Sequence, residues 1–111
     1  MNFWILLLIV DVIPVALFIL GGIYETKYSK YPEIKIGYKN KYTVLNKEAW
    51  KYGNKLASKI YGTVGTILLI LNTLLLFILG ENAFITILFI SFMFTILSRI
   101  IIEKLLEKKF K

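Results

Sequence analysis

Three long apolar runs set the pattern of the chain. Phe3 to Ile23 carries Asp11 as its one charge, Ile60 to Leu79 carries none, and Ala83 to Ile102 carries Arg99 alone. Each run is about 20 residues, and a helix rising about 1.5 Å per residue then crosses a hydrocarbon core of about 30 Å. A soluble three-helix bundle would need polar faces that these runs lack. The pattern therefore predicts an all-α membrane protein with three transmembrane helices, over about 3–23, 60–79 and 83–102. The first run is preceded by Met1 and Asn2, without the basic start of a secretory signal, and ends at Gly21-Gly22-Ile23-Tyr24 without a clear cleavage site, so it reads as a retained helix.

Between the first two runs the pattern changes. From Tyr24 to Leu45 there is no sustained helical period, and Pro32 and Gly37 punctuate an extended loop. Asn46 has the character of a helix N-cap, with Glu48 placed favourably against the helix dipole. After it, Lys47, Lys51, Lys55 and Lys59 recur every fourth residue, while Trp50, Asn54, Ala57 and Tyr61 share another face, beside Gly53, Leu56 and Ile60. This is the signature of a cytoplasmic, amphipathic interfacial helix leading into the second span. A straight junction and a bend near Gly62 are both compatible with it. The whole chain, 1–111, is one membrane domain: spans, a loop over 24–59 and a tail over 103–111.

Composition narrows the chemistry. The chain is 58% hydrophobic, too apolar for a soluble domain of 111 residues. It has no cysteine and no histidine, which removes disulfides, thiolate chemistry and the commonest general base and metal ligand. Catalysis would rest on scattered Ser, Tyr, Lys and seven acids without a recognisable constellation, so no enzyme, cofactor or metal is expected.

Charge gives an orientation. Nine lysines lie between Tyr24 and Lys59 against Glu25, Glu33 and Glu48, and the tail adds Lys104, Lys108, Lys109 and Lys111. Gly80-Glu81-Asn82 has no positive charge. The positive-inside rule places loop and tail in the cytoplasm, with the N-terminus and the tight turn outside. The net charge of +7 and the interleaved tyrosines raise nucleic-acid binding as a possibility. In a three-span chain a lipid bilayer with an anionic inner leaflet is the better partner, at roughly 1 kcal/mol per lysine, with Tyr24, Tyr28, Tyr31, Tyr38 and Tyr42 at headgroup level.

Polar residues inside the runs are candidates for function. A carboxylate as deep as Asp11 costs about 2.5–3.5 kcal/mol to insert and usually faces a bundle interior or a cavity. Depth bookkeeping puts Asp11, Asn72 and Ser91 in one layer, where they could hydrogen-bond across the bundle. Arg99 lies deeper, toward the inner face, and is placed to snorkel to phosphate. Asp11 is either a packing residue, the better supported reading, or part of a proton path or cation site, which would make the chain a small transporter or transporter subunit. Pro14 predicts a kink and a freed carbonyl. Gly62 and Gly65 predict close helix approach. Three helices bury little of one another, so a homo-oligomer is plausible.

The block from Ile36 to Gly65 carries a resemblance. Gly37-Tyr38-Lys39, Thr43, Asn46, Trp50, Asn54 and Gly62 are similar to the signature of the SdpI-type (SdpI/YfhL) immunity protein family, whose pattern starts Gly-Tyr-Arg and continues through Thr/Ser, an Asn/Ser cap, Trp, and Asn before a glycine. Lys39 departs from the usual arginine and lacks its planar fork. The resemblance covers about thirty residues, and the three-span layout extends it over most of the chain. It implies a non-enzymatic protein of the bacterial cytoplasmic membrane that gives resistance to a sporulation-delaying-type peptide toxin. It also implies a small winged-helix repressor as a cytoplasmic partner, with Gly37, Lys39, Asn46, Trp50, Asn54 and Gly62 as the toxin- or partner-binding residues.

Overall fold

The computed structural model describes residues 2–111. It contains α1 (Phe3–Thr26), α2 (Lys47–Leu79) and α3 (Phe84–Phe110), with one 3-10 turn at Glu81–Ala83 between the last two. All three helices are long and apolar enough to cross a membrane, and among the described residues there is no strand. The fold is an all-α, multi-pass membrane architecture. The chain runs up and down, so the α1–α2 loop, the start of α2 and the end of α3 share one end, here the loop end. The N-terminus and the α2–α3 connection share the other, the turn end.

Local chemistry fixes the helix limits. The Asn2 side chain accepts from the Trp4 amide at 2.7 Å and starts α1, and Asn46 does the same for α2 through the Ala49 amide at 2.8 Å. Gly80 ends α2 with φ +79°, a left-handed conformation that costs a glycine little, while its amide bonds the Leu76 carbonyl. Residues 47–59 are the first turns of α2 itself and enter the second apolar run without a break. The tail over 103–111 is helical for all but its last residue. It continues α3 to Phe110 because Ile102 and Leu106 are fully buried against the loop end and Tyr52 meets Phe110 edge-on at 5.6 Å.

Packing divides into two cores. Leu6, Val10, Leu76 and Ile87 form the one nearer the turn. Leu17, Tyr38, Ala57, Tyr61, Leu68, Ile102 and Leu106 form the other, which the loop helps to build. Alongside the second core α1 and α2 touch backbone to backbone: a Cβ on Gly21 would sit 2.8 Å from the Gly62 amide, and one on Gly65 would sit 2.8 Å from the Pro14 carbonyl. Large apolar side chains such as Leu8, Ile78 and Ile85 point outward, where hydrocarbon is the matching solvent.

Candidate functional site

The loop end is built around two side chains of α2. Trp50 and Asn54 lie one turn apart and are fully buried. Asn54 donates to the Trp50 carbonyl at 2.9 Å, which holds its amide so that Oδ1 accepts from the Tyr38 backbone amide at 2.7 Å. The Trp50 indole N–H donates to the Ser29 carbonyl at 2.6 Å. One residue pair on a helix therefore fastens both limbs of the loop. The limbs are tied to each other as well, since the Ser29 amide donates to the Ile36 carbonyl at 2.8 Å and the Ile36 amide donates to Ser29 Oγ at 2.9 Å.

Gly37 is required at the crossing. Its φ of +141° lies where side chains are strained, and a Cβ there would be 2.6 Å from Asn54 Oδ1 and 2.8 Å from the Trp50 ring. Gly53 has a similar steric role, because the Thr43 methyl fills the space a Cβ would take. Thr43 itself is buried within a turn organised by Asn40, whose Oδ1 accepts from the amides of Tyr42 and Thr43 at 2.9 and 2.8 Å.

The lock is completed from α3. Glu103 accepts from the Tyr38 hydroxyl at 2.6 Å and from the Asn40 amide group at 2.7 Å, one bond per carboxylate oxygen. Burial, and then the hydrogen bond and charge of Glu103, push the Tyr38 hydroxyl above the usual tyrosine range. Tyr38 packs with Tyr24 and Tyr61, ring centroids 6.0 and 6.4 Å away, so each helix contributes to one aromatic and polar cluster.

The residues singled out from sequence thus separate by role. Gly37, Trp50 and Asn54 are members of the lock, with Trp50 and Asn54 fully buried, and the exposed Asn46 caps α2 through the Ala49 amide. Lys39 is exposed beside Tyr38. Gly62 lies on α2 opposite Gly21. The roles of Tyr38, Asn40, Gly53 and Glu103 in the lock were missed. The Asn40–Thr43 spacing is a turn signal that could have been read, whereas nothing in the sequence ties Glu103 to residues more than sixty positions earlier.

Midway along the bundle, Asn72 and Ser91 meet and Asp11 stands apart from them. Asn72 Nδ2 donates to Ser91 Oγ at 2.6 Å and to the Val10 carbonyl at 2.9 Å. Val10 is four residues before Pro14, so its carbonyl has no intrahelical donor, and Asn72 supplies one from the neighbouring helix. Asp11 instead accepts from the Thr73 hydroxyl, at 3.1 and 3.3 Å to its two oxygens. Among the described residues no group of three or more acids has metal-holding geometry. At the loop end the structure places exposed lysines over a hydrogen-bonded cluster of aromatic side chains.

A curated protein or a solved structure similar to this chain is not found. The model of the SdpI/YfhL protein family matches residues 34–102, a segment that begins in the loop, includes the whole of α2 and ends just before Glu103. That match covers more than half of the 111 residues, and the chain belongs to the SdpI/YfhL protein family.

Proposed function

We propose that the chain is an immunity-type protein of the bacterial cytoplasmic membrane, giving resistance to a sporulation-delaying-type peptide toxin by binding. The observation that carries this reading is the family match over 34–102, the stretch that carries Tyr38, Trp50 and Asn54 of the loop lock. The lysine asymmetry supports a topology with the loop end in the cytoplasm and the turn end outside. The turn end is then the part that meets the toxin. There Phe3, Trp4 and Phe77 form an aromatic patch, with Phe77 centroids 5.1 Å from Phe3 and 6.3 Å from Trp4.

At the other end the lock presents the outer surface of the loop. Ile36 and Leu45 are half exposed, and Lys39 and Lys41 lie between them in sequence. This mixed apolar and basic surface is the docking surface proposed for a winged-helix repressor, with Trp50 and Asn54 acting beneath it. The test is expression in a strain sensitive to such a toxin, with survivors counted after exposure. Survival above an empty-vector control is expected. Equal killing, with membrane insertion verified, would overturn the reading.

A further inference from the structure

A groove of about 640 Å³ runs between α1 and α2 from the loop end toward the middle of the bundle. Its two ends differ in chemistry. At the loop end Lys51, Lys55 and Lys59 line it, with Tyr28 beside them and Glu25 as the one acid. Farther along, Phe18 and Ile67 line it, and both side chains are more than half exposed. From Lys59 to Ile67 the helix rises roughly 12 Å, so the change from cationic to apolar occurs within about one hydrocarbon leaflet. Among the described residues, no carboxylate lies within ion-pair distance of any of the three lysines.

We propose that this groove is a binding site for an anionic phospholipid, the phosphate held by Lys51, Lys55 and Lys59 and one acyl chain laid along Phe18, Thr63 and Ile67. A small free anion would satisfy the rim and leave the apolar half empty, whereas a phospholipid matches both halves in the order the membrane presents them. The excess of three cations over one acid at the rim selects an anionic headgroup over a zwitterionic one. Gly62 supports the assignment. It lines the groove, and a Cβ built on it meets nothing within 4 Å. The space beside it is therefore open, although the same glycine's backbone is in close contact with Gly21.

That geometry supplies a test. The whole chain is released from nanodiscs containing equal amounts of phosphatidylglycerol and phosphatidylcholine, and retained lipid is read by native mass spectrometry. Phosphatidylglycerol is expected to be retained over phosphatidylcholine by roughly tenfold or more, since each lysine near a phosphate contributes several-fold. Gly62→Leu projects into the open groove and also raises helix propensity, so it is expected to keep the fold and abolish retention. Replacing Lys51, Lys55 and Lys59 with Gln is expected to reduce phosphatidylglycerol to the phosphatidylcholine level while leaving the apolar half of the groove as it is. Equal retention of the two lipids by the unaltered chain would overturn the proposal. So would full retention by the triple variant, or displacement of the lipid by glycerol phosphate alone, which would mark a site for small anions.

Discussion

At the loop end, the stretch from Lys27 to Asn46 lacks regular structure and is fastened by side chains of α2 and α3, while at the turn end Gly80 and one 3-10 turn suffice to join two helices. The loop end uses a buried indole, a buried amide, a carboxylate and three tyrosines. The turn end packs Leu6, Val10, Leu76 and Ile87, with one polar layer above them at Asn72. The difference follows from the solvent. Lipid is as apolar as leucine, so helices inside it associate through close packing and a few hydrogen bonds. Beyond the hydrocarbon, burying Trp50 or Tyr38 also removes apolar surface from water, and irregular backbone can be held by polar partners. A loop there can be fastened by buried side chains, and this one is.

The strongest challenge to that contrast is Gly37→Ala. The new methyl meets Asn54 and Trp50 at once, and the backbone must keep a φ of +141°. Strain together with the displaced buried amide should weaken the lock by about 3 kcal/mol. The expected outcome is rapid proteolytic cleavage between Lys27 and Lys41, with helical content and hydrogen exchange at the turn end unchanged. If cleavage stays slow, the loop is not held through Trp50 and Asn54. If the turn end loosens equally, the two ends are not independent.

A second prediction concerns Tyr38, whose hydroxyl is held neutral by burial and by Glu103. In a released loop it titrates near its ordinary value of about 10. Above that pH the released loop loses a proton that the locked loop keeps, so release is favoured as pH rises; below it the contribution is fully present. The fluorescence of Trp50, in a Trp4→Phe background, should report loop release above about pH 10. Tyr38→Phe should remove this pH dependence and weaken the lock at neutral pH by about 1.5–3 kcal/mol, the worth of a hydrogen bond to a carboxylate. An identical high-pH transition in the phenylalanine variant would assign it to another group.

What was legible in the sequence was what one solvent or one helix turn decides. The spans follow from apolar length, the Asn46 cap from its neighbours, and the inward face of α2 from the spacing of Trp50, Asn54, Ala57 and Tyr61. What was not legible depended on azimuth and on distant partners. Depth bookkeeping places Asp11 and Asn72 at one height but leaves open which way each points. A helix turns about 100° per residue, and that step separates Asn72, directed at Ser91, from Thr73, directed at Asp11. Trp50 and Asn54 stood out as a polar and an aromatic group on one face, but the loop backbone they bond at Ser29 and Tyr38 lies too far away in sequence to be read from that face. The helical tail was hidden because its reason is the loop: Leu106 is buried in the same core as Tyr38, sixty-eight residues away in sequence.

The smallest effect belongs to the polar layer, and it sharpens the comparison from the turn side. Asn72→Leu keeps the count and branching of the side-chain heavy atoms while removing the donor that compensates for Pro14, so the Val10 carbonyl is left unpaired among apolar side chains. In water-soluble interiors such an orphan is costly, but helices separated within a membrane also find partners, and interhelical hydrogen bonds there average about 0.6 kcal/mol and reach about 1.7. Part of that is returned because Asn72 Oδ1 is itself buried without a partner and disappears with the substitution. Stability toward a denaturing detergent should therefore fall by about 1 kcal/mol or less. Pro14→Ala should cancel most of the loss, because it restores an amide donor within α1. Loop cleavage should be the same in all three proteins. Rescue by Pro14→Ala would tie Asn72 to the proline rather than to Asp11, and a loss that persists in the double variant would place its main value in the contact with Ser91.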